Sequence, residues 1–155
     1  MGALLIAENR ANEAAFHYGR GVLLDPDYAE GHNNLGVALA RDGRVADAVT
    51  HYRQAIAIDS SYVDAIVNLG NALVQLGQPR DALANYQAAE RIRPGTADTH
   101  FNWGVALAQL ERFPEAADQF RTVLRLDPAN ADARTYLQRV ERMPPGGSAP
   151  IARER

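Results

Sequence analysis

The 155-residue sequence predicts an all-α fold in which helix-turn-helix pairs stack into a right-handed superhelical solenoid. Three observations carry that expectation. First, the chain repeats itself without a gap every 34 residues, in columns such as Gly36, Gly70 and Gly104, or Tyr18, Tyr52, Tyr86 and Phe120. Second, each period holds two stretches whose apolar residues recur at helical spacing. Third, the repeated residues are small or aromatic, as close helix contacts require. A lone pair of such helices cannot bury both of its faces, so neighbouring units must stack.

The elements follow in order. Residues 1–28 form a partial unit, with Ala14, Tyr18 and Pro26 supplying its second helix. The first full unit, residues 29–62, opens with a helix carrying Leu35, Ala38 and Leu39 and ending near Gly43, where a left-handed residue closes a helix. Its second helix, Val45 to Ile58, carries Ala48, Val49, Tyr52, Ala55 and Ile56. Pro26, Pro94 and Pro128 share one column, with Ser60 in the remaining place, and proline there cannot continue the preceding helix. Asp27-x-x-Glu30 and Ser61-x-x-Asp64 have capping-box spacing and predict side-chain caps at the next helix starts. Residues 63–96 and 97–130 repeat the plan. Residues 131–143 predict a terminal capping helix whose outer face is polar (Gln138, Arg139, Glu141, Arg142), and residues 144–155 a flexible tail.

Gly36 and Ala48 are expected where the two helices of a unit come closest, and Ala55 where the next unit's first helix is admitted. Tyr52, Tyr86 and Phe120 fill the volume between.

This pattern resembles the tetratricopeptide repeat, with its signature W-x2-L-G-x2-Y, A-x3-F, then A and P. The first unit matches with Leu35-Gly36, Leu39, Ala48, Tyr52 and Ala55, and the second with Leu69-Gly70, Leu73, Ala82, Tyr86, Ala89 and Pro94. The third matches with Trp103-Gly104, Leu107, Ala116, Phe120 and Pro128, though Val123 replaces a small residue. The signature Trp column holds His32, Ile66 and His100 instead. The resemblance implies fold rather than chemistry, because the matching positions are packing positions.

It also implies that first helices line a concave groove, with the residue before the Leu-Gly pair pointing into it. Here that column is Asn34, Asn68 and Asn102, an asparagine ladder of the kind that grips an extended peptide backbone in the protein O-GlcNAc transferase superhelix. The alternative is that these carboxamides bond within the stack. Asn33, Asn71, Arg41, Gln75, Gln109 and Phe101 complete the expected groove lining. Glu30, Asp64 and Asp98, with Asp132 in the same column, form an acidic rim. Such a rim suits a basic partner, and a carboxylate in a first helical turn also interacts favourably with the helix dipole. The family's clamp for a C-terminal carboxylate, built from Lys and Arg around the Asn, is not carried over, since the nearby groove positions are Asn33, Val67, Phe101, Asn71, Val37 and Val105.

Composition excludes much else. There is no cysteine, so disulfides and thiolate metal sites are absent, and a net charge of -3 argues against a nucleic-acid surface. The longest apolar run, Ala3 to Ala7, is far below the ~20 residues that span a bilayer, and no signal peptide is read, so a cytoplasmic protein is expected. His17 and His51 share a column, as do His32 and His100, in no metal-binding arrangement, and no nucleophile elbow or phosphate loop occurs. The expectation is a non-catalytic scaffold without cofactor or metal, binding a protein or peptide partner in its groove. The alternatives are a self-assembling module that forms a homo-oligomer through exposed repeat ends, or a substrate-recruiting domain of a larger enzyme such as a glycosyltransferase.

Overall fold

A computed structural model describes residues 10–144, so the apolar run Ala3 to Ala7 and residues 145–155 lie outside the described residues. All regular structure among the described residues is helical. The helices are α1 (Ala11–Leu24), α2 (Ala29–Arg41), α3 (Val45–Ile58), α4 (Val63–Gln75), α5 (Pro79–Ile92), α6 (Ala97–Gln109), α7 (Phe113–Leu126) and α8 (Ala131–Glu141). They fall into two compact units, one ending at Arg93 and the other starting at Pro94. In the first, α1 packs on α2, α2 on α3, α3 on α4 and α4 on α5; in the second, α7 packs on both α6 and α8.

The repeat columns account for the packing. Ala14, Ala48, Ala82 and Ala116 are fully buried, and so are Tyr86 and Phe120, with Tyr52 close behind. The glycines face those rings. A methyl group added at Gly36 would stand 2.5 Å from Cε1 of Tyr52, at Gly70 2.9 Å from Tyr86, and at Gly104 2.8 Å from Phe120. The expected close approach is therefore between a first-helix backbone and a second-helix ring. Val123, the departure from the small-residue column, is itself fully buried.

Helix ends differ in part from expectation. Gly43 and Gly77 adopt φ of 82° and 73°, and the amides just beyond them, Arg44 and Gln78, return to the carbonyls of Leu39 and Leu73. In the third unit the same corner is made by Glu111 at φ 59°, a left-handed conformation that a side-chain-bearing residue adopts at a cost. The two expected capping boxes do not form. The N-caps of α2 and α4 are Tyr28 and Tyr62, neither of which caps through its side chain. Asp59, placed one turn earlier, instead accepts from the backbone and hydroxyl of Ser61, so this acid stabilises the turn and not the helix start. A side-chain cap does occur at α8, where Asn130 Oδ1 accepts from the Ala133 amide at 2.9 Å.

Candidate functional site

In the first unit the asparagines are bonded to one another. Asn33 is 5% exposed, and its Oδ1 accepts from Nδ2 of Asn68 at 2.9 Å, joining α2 to α4. Its own amide donates to Asn34 Oδ1 at 3.4 Å. Asn34 and Asn68 are half-buried. The carbonyl of Asn68 and the amide of Asn34 are not used by these two bonds, and together they offer an acceptor and a donor. Asn71 accepts from the hydroxyl of Tyr86 at 2.9 Å, and burial pushes that phenol's pKa upward. Arg41 and Gln75 are exposed at the ends of α2 and α4.

The compact unit that starts at Pro94 differs at one of these columns, where an aromatic residue takes the place of an asparagine. Phe101, in the column of Asn33, meets Phe120 edge-on at 5.7 Å between ring centroids and Tyr136 of α8 at 5.4 Å. Asn102 is half-buried. Gln109 is exposed and lines a groove of about 400 Å³ between α6 and α8. Val105, Ala108, Phe113 and Tyr136 give that groove apolar and aromatic walls, and Glu111 and Arg139 bring opposite charges to it. Sequence reasoning passed over Glu111. The signal was its place in the column of Gly43 and Gly77.

The three acidic residues expected at a rim are each exposed, and two of them have partners. Asp64 is ion-paired with Arg93 at 2.5 Å, with both side chains more than half exposed. Glu30 accepts from the hydroxyl of Tyr28 at 2.7 Å, and that bond raises the phenol's pKa. Asp98 is exposed in the first turn of α6. All three occupy first turns, where a carboxylate complements the helix dipole.

The buried histidines have partners on the facing helix. His32, 6% exposed, lies with its Nδ1 3.1 Å from Nδ1 of His51. His100, 7% exposed, lies with its Nδ1 2.8 Å from Oε1 of Gln119. The polar residues in the signature Trp column are thus satisfied across the repeat, at a separation of 19 positions in both cases. Among the described residues no three metal-ligating side chains gather into one group, and no helix is long and apolar enough to cross a membrane.

Two further grooves each border a small residue of one column. Ala15 and Ala117 stand in a column that holds Val49 and Leu83 elsewhere. Ala15 lines a groove of about 520 Å³ between α1 and α3, and Ala117 one of about 280 Å³ between α7 and α8.

Two family profiles match the chain, one described as tetratricopeptide repeat over residues 67–131 and one as TPR repeat over residues 41–77. Solved structures agree. MamA (41-end) from Desulfovibrio magneticus RS-1 superposes with a TM-score of 0.84 at 19% identity, covering 90% of this chain and 79% of that one. TTC0263, a thermophilic TPR protein of Thermus thermophilus, gives 0.79 at 18% identity, covering 92% and 78%. YrrB, described as a TPR protein with an unusual peptide-binding site, gives 0.75 at 27% identity, covering 90% and 72%. No curated protein matches the chain. The 34-residue columns, the glycine-on-ring contacts and these likenesses converge: the chain belongs to the tetratricopeptide repeat family.

Proposed function

We propose that the chain is a protein-interaction scaffold whose first helices bind an extended peptide or a helix of a partner protein. The observation that carries this reading is the 400 Å³ groove between α6 and α8. It joins apolar walls at Val105, Ala108 and Phe113 to the polar ends of Gln109, Glu111 and Arg139. An apolar cleft with few, separated polar groups holds a side chain and orients a backbone. In the unit that ends at Arg93, Asn34 and Asn68 offer polar groups on first helices of their own, and the likeness to YrrB, whose own site takes a peptide, supports the same class of ligand. Glu30, Asp64 and Asp98 would favour a basic segment at the rim, with the Arg93 pair moderating the pull of Asp64.

Selection of displayed peptides against the full chain, followed by calorimetry, tests the reading. Replacing Asn34, Asn68 and Gln109 by Ala is expected to weaken a selected peptide by roughly tenfold or more, since each hydrogen bond contributes about 0.5–1.5 kcal/mol net. Undiminished affinity in a variant with an unchanged melting temperature would move the site off the first helices.

Self-assembly is favoured by a separate observation, the exposure of Phe16 (64%), Leu23 (81%) and Leu24 (85%) on α1. A simple head-to-tail continuation is opposed by Gln138. It stands in α8 where α2, α4 and α6 have Gly36, Gly70 and Gly104, so an aromatic from another copy's α1 would meet a long side chain. A mass that stays monomeric across a wide dilution series would remove this second reading.

A further inference from the structure

His32 of α2 and His51 of α3 meet Nδ1 to Nδ1 at 3.1 Å, and their ring planes lie 23° from parallel with centroids 5.4 Å apart. The centroid separation exceeds the nitrogen separation by about two ring radii. The rings therefore lie end to end and nearly coplanar, the alignment of a hydrogen bond rather than of a stack.

A third contact fixes the direction of that bond. Nε2 of His32 lies 3.0 Å from the carbonyl oxygen of Pro26, which can only accept, so this nitrogen carries a hydrogen. Neutral His32 then has its lone pair at Nδ1, and the hydrogen between the rings comes from His51. The relay runs from His51 Nδ1–H to His32 Nδ1, and from His32 Nε2–H to Pro26. It ties α3 to α2, and α2 to the turn that follows α1.

This wiring limits what the pair can take up. A first proton goes to Nε2 of His51, the ring nitrogen that carries no hydrogen, and leaves the relay whole. A second has to enter at Nδ1 of His32, where the His51 hydrogen already points. Two N–H groups then face each other, and the relay must break. We propose that the His32–His51 dyad is a proton-limited latch, which holds the α1–α2–α3 corner closed with one proton or none and releases it on acidification.

The surroundings sharpen the effect. The charges acting on His51 are His32 once protonated, Asp47 and Arg44, and the last two pair with each other at 2.7 Å. Residues of α1 and α2 lining the groove beside it (Asn12, Ala15, Phe16, Leu35, Leu39) carry no charge. Asp25 and Asp27 flank Pro26 at the far end of the relay. Burial first, and then the nearby His32, hold the His51 pKa below its ordinary value, with a hydrogen bond to Gln54 acting the other way. A histidine depressed in the folded state contributes its full stability above the unfolded pKa of about 6.5, and that contribution is lost as pH falls through it. The third unit supplies an internal control. His100 faces the oxygen of Gln119, which accepts from the imidazole whether or not the ring is charged.

The test compares the full-length wild type with His51→Gln, which gives the first repeat the pairing of the third. Melting temperatures are measured between about pH 7.5 and 5, with histidine ring NMR on the wild type over the same range. The wild type is expected to lose roughly 3–6 °C more than the variant on acidification. Amide exchange around residues 26–51 is expected to accelerate before that around 100–119. Parallel melting curves for the two proteins would overturn the proposal. If His51→Gln does not fold, ring-nitrogen shifts of the wild type decide: hydrogen on Nε2 of His32 and on Nδ1 of His51 supports the latch, and the reverse pattern overturns it. Stoichiometric uptake of added zinc with both Nδ1 signals displaced would also overturn it, in favour of a metal site.

Discussion

The first and third full repeats are built on one 34-residue frame and fill it with different chemistry. Both set a glycine against a buried ring, but the ring is Tyr52 in one and Phe120 in the other. Both place a histidine against a residue 19 positions on, His51 in one and Gln119 in the other. Where the first has Asn33 bonded to Asn68, the third has Phe101 packed on Phe120 and Tyr136. Where the first turns at Gly43, the third turns at Glu111. The columns that set helix separation keep their residue type, whereas the columns beside them vary in matched pairs. A polar group on one helix comes with a polar partner on the next, and a ring comes with a ring.

The hardest blow to the shared frame is the glycine column. Gly36→Leu is expected to destabilise by about 3 kcal/mol or more by urea melts, because even a methyl group there would stand 2.5 Å from the Tyr52 ring. Gly104→Leu should cost somewhat less, from its 2.8 Å approach to Phe120. Near-wild-type stability in either would show that the ring moves aside freely. A smaller effect separates the two rings. Burial pushes the Tyr52 phenol up to about 12 from its ordinary 10.0, so the folded state holds that proton more tightly than the unfolded one. The associated stability is intact below pH 10 and is lost as pH rises toward 12, by up to about 3 kcal/mol. Tyr52→Phe, which imitates Phe120, should therefore flatten part of the alkaline unfolding curve, and an unaltered curve would place alkaline sensitivity elsewhere.

At the corner, Glu111→Gly should raise stability by about 1 kcal/mol by relieving the positive φ. If it also weakens a selected peptide, the strained residue is retained for binding. The smallest effect is expected at Arg121, which bridges Asp118 at 2.9 Å and Glu141 at 2.7 Å. All three groups are well exposed, so Arg121→Ala should cost under about 1 kcal/mol in thermal melts.

The packing frame was legible because it is written in the period itself. Glycine, alanine and ring recur at fixed intervals, and each is the size its place demands. The histidine pairs were not, because column reading compares a residue with its copies 34 positions away and passes over its neighbour across the turn, 19 positions away. The Asn33–Asn68 bond hid for a similar reason, joining two different columns 35 positions apart. The capping spacing of Asp27 and Ser61 misled because the helices start at Tyr28 and Tyr62, one residue further on, and the turn before the second of them claims Ser61 for Asp59. The asparagine and glutamine candidates were legible as a surface, but nothing in their spacing revealed that Asn33 is buried and spent on Asn68.

At α2, α4 and α6 the opening hydrogen bonds run main chain to main chain, with Tyr28, Tyr62 and Thr96 accepting from His32, Ile66 and His100 at 3.2 Å in each case. None of these three helices begins on a side-chain cap. A whole unit can therefore be duplicated or deleted at these joints without rewriting the junction. What a new copy must bring is a compatible pair of neighbours: a partner for its own Trp-column residue within the unit, and one for its asparagine across the seam.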